Sequence, residues 1–486
     1  FEAMAQKCQE ILAAAVGEKA AALKAFFASW QPEAAHDNAL LQPYMEDLLS
    51  SANLMFKVEG ESVEQDEEIR KAWDAYKSQQ ASDTAQGICL VTGKKAPVAR
   101  LHPNIKGLYG AQSSGAALVA FNALAYESYE HKQGDNAPVS EYAAFAYTTA
   151  LNTLLASERN YLRIGEMTVV FWAEGADEDN EDVFGDIFSS ENKIIEDADL
   201  QGFFEKVSQG QAFSVKDYLV KPENKFYILG LSPNAARISV RFFFVDTFGD
   251  FIRNYEQYFR EFEIIKPSFD NRVNVPLWQI LQETANKNSK DKAASPLLAG
   301  AVLRSILSGI KYPEALYQNT ILRAKADQDN PDKNITKISR IKAAIIKACL
   351  LRNYKNNEEV VTVALNEECK KVPYVLGRLF AVLEDLQEKA NPGINSTIKD
   401  RYFNSACATP SVTFPLLTKL ANTHLKKISA QRGTVIYFEK LIGELMNKLE
   451  VENNAMPARL SLPEQGEFVL GYYHQVQKRF EKREEK

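Results

Sequence analysis

Apolar side chains recur at the helical period over the first 80 residues. In residues 3–30 and 66–80 they return every three to four positions between polar and alanine residues, the pattern of amphipathic helices. The pattern predicts a helical insert, and Trp30 and Trp73 are expected to anchor its core.

From residue 87 the pattern changes to short runs typical of strands. The runs 88–91 and 97–100 lie on either side of Thr92-Gly93, which predicts a β-hairpin. Residues 167–174 are rich in β-branched and aromatic side chains. Residues 225–246 predict two further strands, joined by a turn through Ser232-Pro233-Asn234.

Two segments between these strands differ in character. Residues 138–157 predict a helix capped by Ser140, with Tyr142, Phe145 and Tyr147 as packing residues. The next segment, 174–186, contains seven acidic residues but lacks the spacing of a calcium-binding loop. A solvated loop is the expected structure there.

The second half of the chain predicts helices joined by short Pro- and Gly-containing connections, as in a helical bundle. The chain is therefore expected to be α+β, with a mixed N-terminal domain of short antiparallel strands and a helical insert, followed by an all-α C-terminal bundle. The predicted domains are 1–86, 87–265, 266–360 and 361–486.

Composition narrows the function. The 486 residues are 45% apolar and 25% charged, as in ordinary globular proteins, and no apolar run has the length of a membrane span. The five cysteines and five histidines are scattered outside metal-ligand spacings. Reduced thiols in a cytoplasm and the absence of a metal centre or other cofactor are expected, including for Cys89, which is expected to be a buried strand thiol.

The segment Leu101–Asn122 combines three glycines with small polar side chains. The glycines are Gly107, Gly110 and Gly115, and the polar residues next to or between them are Lys106, Gln112, Ser113 and Ser114. The preceding residues include Lys94, Lys95, Arg100 and His102. Such a loop can bind an anion through backbone N–H groups, or it can be a tight structural connection. The segment lacks the P-loop ending and the nucleophile-elbow motif, so Ser113 and His102 form a weak pair for catalysis.

A second unusual segment, 333–355, contains seven cations and no acidic residue. At 3.6 residues per turn, six of them fall on one arc of about 140° opposite an apolar stripe, which predicts an exposed basic helix face beginning near Asn330-Pro331. The face is either a contact for an anionic partner or a solvated surface. The seven cations are Lys333, Lys337, Arg340, Lys342, Lys347, Arg352 and Lys355.

Two smaller basic pairs accompany these segments. Arg237 and Arg241 are four residues apart and would share one face of a strand, where they could meet a phosphate backbone or form surface ion pairs. Lys399 and Arg401 are expected on a loop or a helix edge.

Several strings, in order from about residue 87 to the C-terminus, resemble one family. They are CLVTG…ARLHPNIKG, GAQSSGA…FN…ESY, NAPVSEYAAFAYTTALN, TVVFWAE, LGLSPNAARISVRFF, LGRLFAVLEDLQ, TIKDRYFNSACATP and GYYHQ. The chain thereby resembles the large subunit of the type I-C CRISPR Cascade effector. The family's chains begin with roughly a hundred further β-rich residues, which would precede Phe1.

The resemblance implies a non-catalytic, cytoplasmic prokaryotic subunit that helps to read the PAM of target double-stranded DNA, contacts the crRNA 5′ handle and stabilises the R-loop. Implied partners are the repeat-binding backbone subunits, the handle-binding subunit, small subunits and a recruited helicase-nuclease; no membrane contact is expected. A small subunit translated from within the gene would correspond to the bundle after about Val360.

With the resemblance, the basic and glycine-rich segments become candidate nucleic-acid contacts. The expected PAM or handle contacts are Lys106, Gly107, Gly110, Gln112, Ser113, Ser114, Asn122, Arg237 and Arg241. The expected single-strand contacts are Lys333, Lys337, Arg340, Lys347, Arg352, Lys355, Lys399 and Arg401. Two alternatives stay open: a nuclease or hydrolase with a site near His102 and Ser113, and a scaffold whose basic helix meets an acidic protein.

Overall fold

The computed structural model describes residues 1–50, 55–80, 86–175, 177–189, 200–270, 272, 274–288, 295–355, 359–449 and 456–480. Over these residues the chain combines many helices with small antiparallel sheets, so the α+β prediction is confirmed. Its contacts divide into two units: Phe1–Pro103 with Val119–Tyr147, and Asn104–Leu118 with Thr148–Lys486. The four predicted domains remain a prediction.

The first unit begins with the expected helices. Its elements are α1 (Glu2–Leu12), α2 (Glu18–Ser29), α3 (Met45–Leu49), β1 (Lys57–Val58), β2 (Glu61–Ser62), α4 (Glu67–Gln80), β3 (Gln86–Ile88), β4 (Lys95–Pro97) and the first part of α5 (Glu141–Ala156). Leu12, Leu23 and Phe27 form a small core. Trp73, however, is 47% exposed, so its prediction as a core anchor is wrong. The residues of α4 that pack against this core are Ile69 and Ala72.

The capped helix and the hairpin of this unit are confirmed, but both strands of the hairpin lie two to three residues earlier than predicted. Strands β3 and β4 pair antiparallel, and Gly93 adopts a φ of 68° in the turn, which favours glycine. Cys89 is buried and accepts a hydrogen bond from the Ser140 N–H at 3.2 Å. The Ser140 hydroxyl accepts from Ala143 N–H and caps α5. Tyr142 and Phe145 are exposed, so their expected packing role is wrong.

The second unit contains a four-stranded antiparallel sheet in the order β10-β9-β6-β5. The strands of this unit are β5 (Tyr161–Ile164), β6 (Met167–Ala173), β7 (Phe213–Val215), β8 (Tyr218–Val220), β9 (Lys225–Asn234) and β10 (Arg237–Thr247), with β7 and β8 as a separate hairpin. Phe171, Ile228 and Phe242 point from one sheet face into the main core. The turn between β9 and β10 lies at Ala235-Ala236, one to three residues beyond the predicted position.

Helices make up the rest of this unit, as expected for the C-terminal half. They are α6 (Glu178–Phe188), α7 (Leu200–Ser208), α8 (Phe248–Phe262), α9 (Leu277–Thr284), α10 (Pro296–Ser308), α11 (Glu314–Ala326), α12 (Arg340–Asn353), α13 (Val372–Ala390), α14 (Ile398–Ala408), α15 (Pro410–Lys427), α16 (Arg432–Lys448) and α17 (Leu462–Lys478). Helices α13 and α17 cross closely: a Cβ added at Gly377 would lie 2.0 Å from the Phe468 carbonyl oxygen.

The acidic segment 174–186 is not the expected solvated loop, since most of it forms α6. The reason is that one of its acids is recruited into the interior. The Glu181 carboxylate is buried and accepts hydrogen bonds from the Asn160 side-chain amide at 2.8 Å and from the Ala173 N–H at 3.0 Å. These bonds offset its desolvation and fasten α6 to the end of β6.

Candidate nucleic-acid interface

The glycine-rich segment 104–118 forms a loop of the second unit with a fixed base. Ile105 and Ala116 exchange two backbone hydrogen bonds of 2.9 Å, each donating its N–H to the carbonyl of the other. Ala117 then donates to Ala236 and accepts from Ile238, both at 3.0 Å, which ties the loop to the start of β10. With Ile105 fully buried, the tip is carried on a rigid support.

Three glycines provide the backbone conformations of this loop. Gly107, Gly110 and Gly115 have φ values of 83°, 80° and 88°, a region that L side chains rarely adopt. At Gly115 a Cβ would also lie 2.8 Å from the Ile105 carbonyl oxygen. Glycine is therefore required here by both conformation and space.

The tip presents side chains rather than a continuous row of backbone donors. Lys106, Gln112, Ser113 and Ser114 are all exposed. The N–H of Lys106 donates to the Asn152 side-chain oxygen at 2.8 Å, and the N–H groups of residues 105, 111, 115 and 116 are bonded within the protein. An anion would therefore meet the Lys106 ammonium and the polar side chains before most of the backbone.

Tyr109 and Arg163 adjoin the tip, and neither was predicted as a site residue. The Arg163 guanidinium, on β5, lies over the Tyr109 ring, a cation–π contact, and both side chains are exposed. The available signal was an aromatic residue between two glycines, but the partner arginine is 54 positions later and only the sheet brings it there.

The pair Arg237 and Arg241 does not keep the predicted common face. The register of β10 against β9 shifts between Val240 and Phe242, so Arg241 is the extra residue of a bulge. Arg237 stands opposite Asn234, beside the base of the loop, because Ala117 bridges to it. The structure thus brings Arg237 to the loop, while Arg241 is exposed further along the strand.

Asn122 and His102 belong to the first unit. Asn122 is exposed. His102 is buried with its Nδ1 2.6 Å from the Tyr147 hydroxyl, and burial lowers the pKa of the imidazole. Ser113 lies in the second unit, so the two residues of the catalytic alternative are not brought together within either unit.

The prediction of an exposed basic helix face over 333–355 is wrong. Asn330 caps only a short 3₁₀ turn, and the helix α12 begins at Arg340, with Ser339 accepting from the Lys342 N–H. Five cations of the segment are less than a tenth exposed. These five are Lys337, Arg340, Lys342, Lys347 and Arg352.

Each buried cation has a partner inside the protein, which explains its burial. The Lys342 ammonium, with no exposed side-chain surface, lies 2.9 Å from an Asp327 carboxylate oxygen, and Arg352 pairs with Glu261 at 2.7 Å. Arg340 pairs with Asp270 at 2.9 Å.

The other two buried cations donate to backbone carbonyls. Lys337 donates to the Asp327 carbonyl at 2.7 Å. Lys347 donates to the Glu261 carbonyl at 3.0 Å, and burial lowers its pKa to about 8. Charges held in this way stabilise helix packing and do not present themselves to an external phosphate.

The remaining predicted cations divide by exposure. Lys399 is largely buried on α14, 2.6 Å from an Asp329 carboxylate oxygen. Lys333, Lys355 and Arg401 are exposed, and Lys333 donates to the Asn288 side chain at 3.0 Å. Only these three of the eight single-strand candidates offer charge at the surface.

The sequence of this chain was then compared with known proteins. A family model for the CRISPR-associated protein Cas_Csd1 matches residues 1–480. The chain belongs to the Csd1 family of CRISPR-associated proteins. Membership makes it a CRISPR-associated effector subunit and agrees with the resemblance seen in the sequence; the subtype remains a prediction. No curated protein matches it.

Two features are absent from the described residues of this Csd1 protein. No group of three or more His, Cys, Asp or Glu residues there could hold a metal ion. None of its described helices is long and apolar enough to cross a membrane.

Proposed function

We propose that this Csd1 protein is the non-catalytic large subunit of a type I-C crRNA-guided DNA surveillance complex. In this role it contacts the PAM duplex or the crRNA handle and supports the R-loop. Base pairing with the guide RNA would read the target sequence, and the protein would read a short motif in the adjacent duplex. Another class of RNA-guided effector divides recognition in the same way. Its partners would be crRNA, target DNA, the backbone and handle-binding subunits, small subunits and a helicase-nuclease.

The observation that carries the proposal is the 104–118 loop. A rigid base fixed by the Ile105–Ala116 pair presents Lys106, Gln112 and two serines at an exposed tip. Small polar side chains and glycines suit close approach to a groove, where amide groups read base edges and cations follow phosphates. Arg163 and Arg237 add positive charge to the same unit.

The test is PAM-dependent binding by the assembled complex. Gln112→Ala should weaken affinity for PAM-containing duplex by roughly 5- to 100-fold if the amide reads a base. Lys106→Ala should weaken binding to all sequences and lower the salt slope by about one. Gln211→Ala and Lys419→Ala, exposed in the same unit, are matched controls. Unchanged binding by both loop variants would remove the loop from the interface.

The non-catalytic part of the proposal has its own assay. The lone chain, incubated with duplex and single-stranded DNA and with Mg²⁺ or Mn²⁺, is expected to leave both substrates intact. Cleavage that disappears in His102→Ala or Ser113→Ala would favour the enzymatic alternative instead.

A further inference from the structure

The four-stranded sheet has a second face, opposite the main core. The register places Trp172 of β6, Tyr227 of β9 and Val245 of β10 in one row across it, with Phe243 in the adjacent row. Phe243 is 52% exposed and Val245 is 49% exposed. This part of the sheet is an aromatic surface that the described chain leaves half uncovered.

Three rings on this surface form one stack. The Trp172 and Tyr227 ring centroids are 5.2 Å apart with planes 4° from parallel. Trp172 and Phe243 are 6.2 Å apart at 25°. Trp172 is common to both pairs, so Phe243 forms an end of the stack. A further planar ring could extend the stack at this half-exposed end.

Charge decides what kind of ring fits. Arg241 is exposed in the bulge, two residues before Phe243 on the edge strand β10, and Arg163 stands on the aromatic face at its β5 edge. At the other end the Glu174 N–H donates to the Lys225 carbonyl at 2.9 Å, which places one acidic and one basic residue side by side. The face and its edges therefore combine stacking rings with two exposed arginines, the combination found in surfaces that bind unpaired nucleotides.

We infer that this face binds single-stranded nucleic acid, with one base stacking on Phe243 and the adjoining phosphates near Arg241. The inference rests on the proposed function for the source of the strand, namely crRNA or displaced DNA. The stacked rings lie on β6, β9 and β10 and not on the 104–118 loop, while Arg163 also contacts Tyr109 of that loop.

Fluorescence of Trp172 gives a direct readout. The chain has four tryptophans, so Trp30→Phe, Trp73→Phe and Trp278→Phe together leave Trp172 alone in the full-length protein. Oligothymidylate should quench its emission, while an abasic oligomer with the same number of phosphates should not. Equal quenching by both, or none by either at saturating concentration, would overturn the inference.

Two substitutions separate stacking from simple apolar contact. Phe243→Ala and Phe243→Leu should each weaken oligothymidylate binding by roughly 5- to 100-fold, the range for loss of one base–aromatic stack. Phe269→Ala, at an 85% exposed phenylalanine elsewhere in this unit, should leave it unchanged. If Phe243→Leu binds as well as the unmodified chain, the ring has no stacking role.

A second set of measurements distinguishes this inference from the proposed function. Phe243→Ala should retain PAM-dependent affinity in the assembled complex, while Gln112→Ala should retain quenching by oligothymidylate. Sedimentation that shows a dimer abolished by Phe243→Ala would instead make the face a contact between copies of this chain, and would contradict single-strand binding.

Discussion

At the scale of single residues, the candidate interface depends most on Gly115, because this position has no room for a side chain. Alanine there would hold φ near 88° and place its methyl group against the backbone of Ile105. We expect Gly115→Ala to lower the free energy of unfolding by about 1 to 3 kcal/mol, measured by urea denaturation.

The control for this prediction is a glycine without either constraint. Gly443 lies inside α16 with open space around its Cβ position, so Gly443→Ala should leave stability unchanged or raise it by up to about 1 kcal/mol. An equal effect of the two substitutions would show that the conformation at Gly115 is not required.

At the scale of elements, the sequence predicted those that depend on local pattern. Helix α5 with its Ser140 cap, strand β6 and the β9–β10 pair were predictable because period and capping act over a few residues. The burial of α12 could not be predicted in this way, because the ion-pair partners of its cations lie on other segments. Asp327 is 15 residues from Lys342, and Glu261 is 91 residues from Arg352.

The candidate site shows the same division. Glycines and polar side chains at 106–115 marked the loop, since those residue types act locally. The ring stack on β6, β9 and β10 could not be found in the same way, because it requires the register of three strands. The predicted face of Arg241 was wrong because a bulge inserts one residue into β10, and the two-residue alternation used for the prediction assumes a regular strand.

Helix α12 yields a prediction about the ion pairs that replaced its expected basic face. Lys342→Met would leave the buried Asp327 and the partly buried Glu283 without their shared cation. Among the described residues, Asp327 would keep only the ion pair with Arg323 at 3.3 Å, and Glu283 only that with Lys287 at 3.1 Å. We expect a loss of about 3 to 5 kcal/mol in unfolding free energy, the typical effect of removing one member of a buried pair. Lys355→Met, at an exposed cation, should change stability by less than about 0.5 kcal/mol. A small effect at Lys342 would contradict a structural role.

At the scale of the whole molecule, buried ionisable groups should make stability depend on pH. Burial raises the pKa of the Glu467 carboxyl from 4.5 to about 7. Below pH 4.5 the carboxyl is protonated in the folded and the unfolded protein, so its burial involves no charge and does not lower the free energy of unfolding. Between pH 4.5 and 7 the unfolded chain ionises first, so the stability contributed by this group is lost as pH rises, and above pH 7 the loss is complete.

This sign gives a difference experiment. Glu467→Gln should be increasingly more stable than the unmodified chain from pH 4.5 to 7, by about 1 to 3 kcal/mol at the upper end, in urea unfolding at each pH. Burial lowers the pKa of His474 to about 3, which destabilises the fold as pH falls below 6.5. Because His474 is present in both proteins, its effect cancels in the difference. Glu439→Gln, at an exposed position, should give a flat difference; a flat line for Glu467→Gln as well would mean that this carboxyl is ionised in the folded protein.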